Sequence, residues 1–140
     1  MKPLRFAGLL LAGSALCLFV GCGGGAGGGN TENARHLDHL GKMYHSYWDA
    51  HTGKGPSKAE DLKEVVTKED EKAYDALKKG EVVLLYNVRL LDMKPPEGTV
   101  LGYAKDTPTK GGSVLMGDAT VKDVTADEFK KLPQAKPEGK

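Results

Sequence analysis

Residues 111–125, GGSVLMGDATVKDVT, carry the pattern that decides the fold. β-Branched residues stand on both sides of the turn residues Gly117 and Asp118. This arrangement predicts a β-hairpin whose strands cover residues 113–116 and 120–124. The rest of the chain is therefore expected to supply a helix and further strands that pack on this hairpin.

Two further apolar stretches predict the other strands of a small antiparallel sheet. Residues 81–91, EVVLLYNVRLL, are apolar on both faces and predict a central strand, and residues 99–104 predict the next strand. In the hairpin, Val114 and Met116 are expected on one face of the sheet and Leu115 on the other, because strand side chains alternate.

Residues 31–51 predict one long amphipathic helix. At the helical period its apolar side chains fall within about 100° of arc, opposite Asp38, Lys42, Ser46 and Asp49. The apolar stripe consists of Leu37, Leu40, Tyr44, Tyr47, Trp48 and His51. One such stripe indicates a helix laid across a sheet, so the predicted fold class is α+β. The aromatic side chains are expected in the core; the alternative is that Tyr44, Tyr47, Trp48 and His51 form a face that binds a ligand or partner.

All four histidines lie in this helix, which raises the question of a metal site; they are His36, His39, His45 and His51. His36 and His39 have the spacing of paired helical ligands, but His45 projects on roughly the opposite side and His51 lies in the apolar stripe. No HExxH motif and no cysteine partner occurs. We therefore expect no metal and no cofactor, with the histidines facing solvent or capping helices.

Two capping patterns follow the long helix. Residues 57–60, SKAE, predict a capping box in which the Ser57 side chain accepts from the amide three residues on and Glu60 reaches back. Residues 67–70, TKED, are a weaker cap for the next helix, which Gly80 is expected to end in a left-handed conformation.

The C-terminal end combines a cap with a polar tail. Residues 125–128, TADE, predict a second capping box that opens a helical turn with Phe129 and Leu132. Residues 133–140 are polar, contain two prolines and are expected to form a disordered tail. The ordered domain is thus predicted to span residues 31–132.

The N-terminus has the features of an export signal. A basic start, an uncharged apolar run over residues 6–20 and the small residue Gly21 before Cys22 are typical of a secretory signal peptide. The run is short for a bilayer-spanning helix, which needs roughly 20 residues. The sequence LFVGC, ending at Cys22, resembles a bacterial lipoprotein box, although Phe19 stands where an aliphatic residue is preferred. Residues 1–21 are therefore expected to be a lipoprotein signal peptide, with an ordinary signal peptide as the alternative.

Lipidation at Cys22 would determine where the protein resides. A diacylglyceryl group on the Cys22 thiol and an acyl group on its new amine would anchor the chain stably, because two or more chains suffice. Cys17 would leave with the signal, so no disulfide is expected. The expected location is exported and membrane-anchored in the bacterial cell envelope, facing the periplasm or the outer surface.

Residues 22–30 are expected to be a glycine-rich tether between the membrane and the domain. GGGAGGG, residues 23–29, has no side chains to bury and behaves as a flexible coil that reaches about 15 Å. A phosphate-binding glycine loop would need a strand before it and a helix with Lys-Ser/Thr after it, which are lacking. Cleavage before Cys22 turns the formal net charge from +1 to about −1, so no nucleic-acid partner is implied.

Two stretches of the chain resemble a large family of pilin-like, or pseudopilin-like, domains of unknown function that is abundant in planctomycete-type bacteria. The family helix pattern, NLKQIGLAYHNYHDTHGKPP, is matched by Asn33, Gly41, Tyr44, His45, Tyr47, Asp49, His51, Gly53 and Pro56. The family hairpin pattern, GGNVLFADGSVRFLT, is matched by Gly111, Gly112, Val114, Leu115, Asp118, Val121 and Thr125. The resemblance implies one long helix on a small antiparallel sheet.

The chain departs from this family in two places. Ala119 follows Asp118 where the family has glycine, and a left-handed alanine would cost about 1–2 kcal/mol. We therefore expect a shifted turn with Gly117 at positive φ. A lipoprotein signal and a glycine tether also stand in place of the prepilin leader, so we do not expect this protein to polymerise as a pilin.

Catalytic patterns find little support in the sequence. No serine nucleophile elbow occurs, and the carboxylates sit in charged helical or turn contexts. A calcium site at Asp118 or Asp123 would lack the D-x-D-x-D-G run of a calcium loop. The expected function is a non-enzymatic, membrane-tethered lipoprotein with a protein-interaction domain, its partner an envelope or secretion-system protein. The alternative is a small-ligand or metal-binding periplasmic lipoprotein that uses the histidine- and aromatic-rich helix; a hydrolase or transferase comes third.

Overall fold

A computed structural model describes residues 31–138. In chain order its elements are α1 (Thr31–Ala50), a 3-10 helix (Ala59–Val65), α2 (Glu71–Lys79), β1 (Val82–Leu84), two 3-10 turns (Leu90–Asp92 and Pro96–Gly98), β2 (Val100–Ala104), α3 (Thr107–Lys110), β3 (Gly112–Met116), β4 (Val121–Val124) and α4 (Ala126–Lys131). The predicted signal peptide, the lipid site Cys22 and the tether lie outside the described residues. Within 31–138, no helix is both long and apolar enough to cross a membrane.

The four strands form one antiparallel sheet in the order β1-β2-β3-β4. α1 contacts all four strands, so it lies across one face of the sheet. This arrangement confirms the predicted α+β class, with a long N-terminal helix on a small antiparallel sheet. β3 and β4 form the predicted hairpin, in which Ser113 stands opposite Asp123 and Leu115 opposite Val121.

Each face of β3 belongs to a different apolar cluster. Leu115 packs with Leu37, Leu40 and Tyr44 of α1 in the larger cluster, and all four side chains are fully buried. On the other face, Val114 and Met116 pack with Val100 and Phe129. The predicted alternation of these side chains is confirmed, because α1 covers one face and α4 supplies Phe129 to the other.

The helix and the hairpin approach most closely at Gly41. A Cβ atom at this position would lie 2.8 Å from Leu115 Cδ1 and 3.2 Å from Ala119 Cβ. These distances are shorter than ordinary van der Waals contacts. Glycine at this position therefore lets α1 lie against the turn end of β3.

The prediction of a central strand over residues 81–91 is wrong. Only Val82–Leu84 forms a strand, and it lies at the edge of the sheet. Asn87 turns the backbone away at φ 55°, and its N–H donates to the Pro56 carbonyl at 2.8 Å. The main chain of Val88 is paired with the Tyr44 hydroxyl at 3.2 Å. The apolar run is thus divided because its later residues find partners on and beside α1.

The predicted capping box at residues 57–60 is also wrong. The Ser57 N–H and hydroxyl both donate to Asp61 Oδ2, at 2.8 and 2.6 Å. The hydroxyl therefore donates rather than accepts, and a 3-10 helix begins at Ala59 without a side-chain cap. Glu60 instead forms an ion pair with Lys78 on α2.

At the weaker cap, residues 67–70, the Asp70 carboxylate is the acceptor and Thr67 is the donor. The Thr67 N–H and hydroxyl donate to Asp70 Oδ2, at 3.0 and 2.7 Å, and α2 begins after Asp70 without a side-chain cap. Gly80 ends α2 at φ 75°, as predicted, and its N–H donates to the carbonyl oxygens of the last turn.

The C-terminal cap is confirmed, whereas the disordered tail is not. Thr125 and Glu128 form both bonds of the capping box, at 3.2 and 2.8 Å. After α4, the Pro133 carbonyl accepts from Val100 N and the Ala135 N–H donates to Val100 O, each at 2.8 Å. Ala135 is buried. The tail is ordered here because the start of β2 offers an unpaired N–H and C=O.

The hairpin turn differs from the prediction in which residue adopts the left-handed conformation. Ala119 has φ 66°, whereas Gly117 does not have a positive φ. Met116 O accepts from Ala119 N at 3.0 Å and Met116 N donates to Thr120 O at 2.8 Å. These bonds close a three-residue loop whose last residue is left-handed, a common hairpin connection.

Gly117 is required for a different reason, because its neighbours leave no room for a side chain. A Cβ atom there would overlap the Met93 sulfur, and the Gly117 N–H lies 3.0 Å from Pro96 O and 2.9 Å from Thr99 O. Glycine is therefore needed at 117 because Met93 lies so close. The left-handed residue of the turn is Ala119 instead. The Asp118 carboxylate steadies this turn by accepting from Thr120 N and Oγ1.

Candidate functional site

The aromatic stripe of α1 divides into a buried part and an accessible part. Tyr44 is fully buried, and its hydroxyl donates to Val88 O and accepts from Val88 N. Burial raises the pKa of Tyr44, against the opposing effect of the hydrogen bond to Val88. The predicted core position is therefore confirmed for Tyr44, and the alternative that placed it in an interaction face is wrong.

Tyr47 and His51 form the accessible part. Their rings stack with centroids 3.9 Å apart and planes 10° apart, one turn from each other at the end of α1. Both side chains are half-buried. His51 Nδ1 lies 2.9 Å from the Tyr47 carbonyl oxygen and Nε2 lies 3.0 Å from Glu64 Oε1. Both of these oxygens accept, so each bond needs a proton on the ring nitrogen that faces it.

An open groove of about 910 Å³ begins at this stack. We call it the α1-end groove; its lining includes Tyr47, His51, Lys54, Ser57, Asp61, Asn87 and Glu138. The segments that form it are far apart in sequence. The loop after α1 supplies one wall, and Asn87 and the C-terminal residues supply another.

Acidic groups dominate the charged residues at the α1-end groove and in the shallow depression next to it. Four carboxylates and two lysines line the two together: Asp61, Glu138, Glu60, Glu64, Lys54 and Lys63. The Ser57 hydroxyl and amide lower the pKa of Asp61, and the bond from Lys78 lowers that of Glu60. Burial, with the nearby Asp61 and Glu64 carboxylates, raises the pKa of the Tyr47 hydroxyl. Two of these carboxylates already face a cation, because Glu60 pairs with Lys78 and Glu138 lies 3.7 Å from Arg89.

Trp48 is half-buried and lies beside the α1-end groove rather than in its lining. The indole lies against the turn that follows α1, where a Cβ on Gly53 would come within 3.2 Å of Trp48 Cζ2. Gly53 also has φ 83°. Of the four predicted residues, the structure therefore brings Tyr47 and His51 together, sets Trp48 aside and buries Tyr44.

The residues that complete the groove were not predicted. Ser57 and Asp61 were assigned to a helix cap and a charged helix surface, Asn87 to a strand and Glu138 to a disordered tail. No local pattern marks any of them as part of a site. Their place in the groove depends on the turns that bring these segments back to the end of α1.

The other three histidines have surroundings that the sequence did not indicate. His39 Nδ1 lies 2.6 Å from Asp70 Oδ1, and His45 Nε2 lies 3.1 Å from the Gly117 carbonyl oxygen. His36 is only 9 % exposed, and its Nδ1 is buried without a hydrogen-bond partner. The expectation of solvent-facing or capping histidines is therefore wrong for these residues. Within residues 31–138, no three His, Cys, Asp or Glu side chains are already grouped around one metal position.

The two aspartates considered for calcium are engaged in the hairpin. Asp118 Oδ1 accepts from Thr120 N at 3.0 Å and from Thr120 Oγ1 at 2.6 Å. Burial alone would raise the pKa of Asp118, but these hydrogen bonds more than offset it and lower the pKa. Asp123 Oδ1 accepts from Ser113 Oγ across the two strands at 2.7 Å. Both carboxylates thus stabilise the turn and the strand pairing.

Comparison with known protein families, with curated proteins and with solved structures found no match for this chain. The central feature of the candidate site is the stacked Tyr47–His51 pair at the α1-end groove.

Proposed function

We propose that this chain is a membrane-tethered lipoprotein of the bacterial cell envelope whose pilin-like domain binds a protein partner at the α1-end groove. The accessible Tyr47–His51 stack carries the proposal, because rigid aromatic side chains are the usual anchors of protein interfaces. The partner is an envelope or secretion-system protein, and the domain acts by binding rather than by catalysis.

The place of the groove along α1 suits a tethered binding domain. A tether that ends at residue 30 would join the first residue of α1, whereas Tyr47 and His51 lie near its last. A helix of 20 residues is about 30 Å long. Lipid on Cys22 would therefore hold one end of the domain near the membrane and leave the groove at the other end for a partner.

The charges around the groove favour a partner segment that carries lysine or arginine. Of the four carboxylates there, Glu60 and Glu138 already pair with cations. Asp61, and Glu64 beside His51, remain for a cationic side chain of the partner. A cationic side chain can also approach the exposed side of the Tyr47 ring. Exposed charges are screened by salt, so complex formation should weaken as ionic strength rises.

The pilin-like part of the proposal rests on the resemblance of the helix and the hairpin. Gly41, which belongs to the resembling helix pattern, lies against Leu115, which belongs to the resembling hairpin pattern. The two stretches that carry the resemblance are therefore in contact, which supports reading them together. Fold similarity does not by itself determine an activity, so the binding function is supported by the groove.

Site-specific photo-crosslinking in cells tests this function. A photoreactive side chain is placed at position 54, where Lys54 lines the groove. The control carries it at position 42, where Lys42 is also exposed and pairs with Asp38. We expect one envelope protein to be crosslinked from position 54 only. Tyr47→Ala should reduce its recovery at least about fivefold, because truncating an aromatic anchor costs more than about 1 kcal/mol.

Cys22→Ser tests the membrane half of the proposal. Metabolic labelling should attach lipid to the wild-type chain but not to this variant, and the crosslinked product should be lost or much reduced. Equal crosslinking from positions 54 and 42 would refute the groove. A wild-type chain found only in the soluble fraction and without lipid would refute the tether.

A further inference from the structure

His51 stands where the end of α1, the Ala59–Val65 helix and the α1-end groove meet. Its ring lies on the Tyr47 ring with centroids 3.9 Å apart. Nδ1 lies 2.9 Å from the Tyr47 carbonyl oxygen, and Nε2 lies 3.0 Å from Glu64 Oε1. His51 therefore links α1 to the following helix and also lines the groove.

Two acceptors face this one ring, so only the doubly protonated imidazole can make both bonds. A carbonyl oxygen and a carboxylate oxygen cannot donate, and a neutral imidazole carries one proton for its two nitrogens. Whichever nitrogen keeps that proton, the other presents a lone pair to an oxygen atom. In either neutral form Glu64 also loses the positive charge of its partner, so the ion pair between His51 and Glu64 ends.

The charged groups around His51 are balanced. They are supplied by the Ala59–Val65 helix, the loop after α1 and the C-terminal segment: Glu60, Asp61, Lys63, Glu64, Lys54 and Glu138. Glu60 pairs with Lys78, and Glu138 lies 3.7 Å from Arg89. The remaining groups are two carboxylates and two lysines, so the protonation state of His51 decides whether the local charge is neutral or positive.

We propose that His51 makes partner binding at the α1-end groove depend on pH, with a cationic partner segment bound when His51 is neutral and released when His51 is protonated. This regulation rests on the binding function proposed above. The neutral ring leaves Glu64 for the partner, together with Asp61. The protonated ring neutralises Glu64 and adds a positive charge that repels a lysine or arginine of the partner.

His51 is the group that changes charge in the relevant pH range. Imidazoles gain and lose a proton between about pH 5 and 8, whereas carboxylates ordinarily titrate near about pH 4 and lysine and tyrosine near about pH 10. The Ser57 hydroxyl and amide lower the pKa of Asp61, and burial with the nearby carboxylates raises the pKa of Tyr47. Both shifts move these two groups further from that range.

The Tyr47 ring gives the proton a second effect. An imidazolium stacked on an aromatic ring is attracted to its π electrons, as other cations are. A lysine or arginine of the partner would approach the opposite side of the same ring. Two positive charges on the two sides of one ring repel each other, so protonation of His51 and binding of the partner oppose each other. Because such coupling is reciprocal, the bound partner should also favour the neutral ring.

Photo-crosslinking in isolated membranes at two pH values tests this regulation. Membranes that contain the full-length chain with a photoreactive side chain at position 54 are irradiated at about pH 7.5 and at about pH 5.5, on either side of imidazole titration. We expect the yield of crosslinked partner to be about two- to fivefold higher at the higher pH, the effect of one charge at about 8 Å near a protein surface.

Two histidine variants identify the residue responsible. His51→Gln has no titrating ring and should give equal yields at both pH values. His45→Gln is the matched control, because His45 contacts Gly117 at the hairpin turn and glutamine can still donate to that carbonyl oxygen. This control should keep the pH dependence of the wild type.

A second measurement serves if His51→Gln fails to fold. In NMR spectra of the full-length wild-type chain in detergent, the Glu64 carboxyl carbon should shift over the same pH range as the His51 imidazole. The carboxyl carbon of Glu71, which is exposed on α2, should not. Equal crosslinking at both pH values, a higher yield in acid or a Glu64 signal that does not follow the imidazole would overturn the regulation and leave the binding function standing. Absence of the crosslinked partner at both pH values would refute the binding function and the regulation with it.

Discussion

The imidazole Nε2 of His45 lies 3.1 Å from the main-chain carbonyl oxygen of Gly117 and joins the middle of α1 to the turn of the hairpin. A carbonyl oxygen only accepts, so Nε2 carries the proton. One turn earlier on α1, Gly41 packs against Leu115 and Ala119. The long helix and the C-terminal hairpin are therefore joined by both a hydrogen bond and close packing.

Replacing His45 with alanine should weaken this contact. We expect His45→Ala to lower the free energy of unfolding by about 1 kcal/mol, the usual net value of one hydrogen bond together with the unpaired Gly117 carbonyl. Guanidinium denaturation measures the change. Ser46→Ala, at the exposed neighbour, is the control and should stay within about 0.5 kcal/mol of the wild type. Equal stabilities of His45→Ala and the wild type would show that the contact contributes nothing.

Two substitutions in the turn should have opposite effects. Ala119→Gly should stabilise the protein by about 0.5–1 kcal/mol, because the left-handed strain at φ 66° that glycine removes is larger than the opposing gain in unfolded-state entropy. Gly117→Ala should destabilise it by roughly 2 kcal/mol or more, since its Cβ would overlap the Met93 sulfur. Thermal unfolding of both variants checks the order. If glycine at 119 destabilised while alanine at 117 was also unfavourable, the turn would be the shifted one with Gly117 at positive φ. A neutral Gly117→Ala would show instead that Met93 does not approach this position closely.

Tyr44→Phe should be costly although it removes one atom. The hydroxyl is bonded to both main-chain groups of Val88, and its loss would leave a buried N–H and C=O without partners. We expect a destabilisation of about 1–3 kcal/mol. Tyr103→Phe is the matched control, because the Tyr103 hydroxyl makes no hydrogen bond among the described residues and its ring contacts Phe129 edge-on. Denaturant titration of the two variants should separate them clearly.

Asp70 should make stability depend on pH in the acid range. Burial alone would raise its pKa, but hydrogen bonds from Thr67 and His39 more than offset burial and lower the pKa below its usual value. A folded-state pKa below the unfolded value of about 3.9 means that the carboxylate stabilises the fold above that pH. This contribution is lost as pH falls through the folded-state pKa.

The expected result is a difference between wild type and Asp70→Asn that has its full size from about pH 5 upward and shrinks as the pH falls below about 4. Urea denaturation at several pH values measures it. Asp75→Asn on α2 removes an exposed carboxylate and controls for net charge. A difference that stayed constant across this range would show that Asp70 does not titrate as described.

Local sequence patterns were sufficient to predict part of the fold. They also predicted two of the four residues of the candidate interaction face, Tyr47 and His51. The period of α1, the strands of the hairpin, the stop at Gly80 and the Thr125–Glu128 box depend on neighbours within a few residues. Tyr47 and His51 could be placed on one helix face for the same reason. Patterns failed where a residue had two local options, as at Ser57, whose hydroxyl donates to Asp61 instead of capping a helix.

By itself, the sequence determined that a long amphipathic helix precedes strands and a C-terminal hairpin, because periodicity and turn chemistry are properties of adjacent residues. Only the tertiary structure decided which strands are central, which aromatic side chains stay accessible and which histidines find partners. The His39–Asp70 and His45–Gly117 contacts join residues 31 and 72 positions apart. Such contacts depend on how the chain returns to α1, and no local pattern specifies that path.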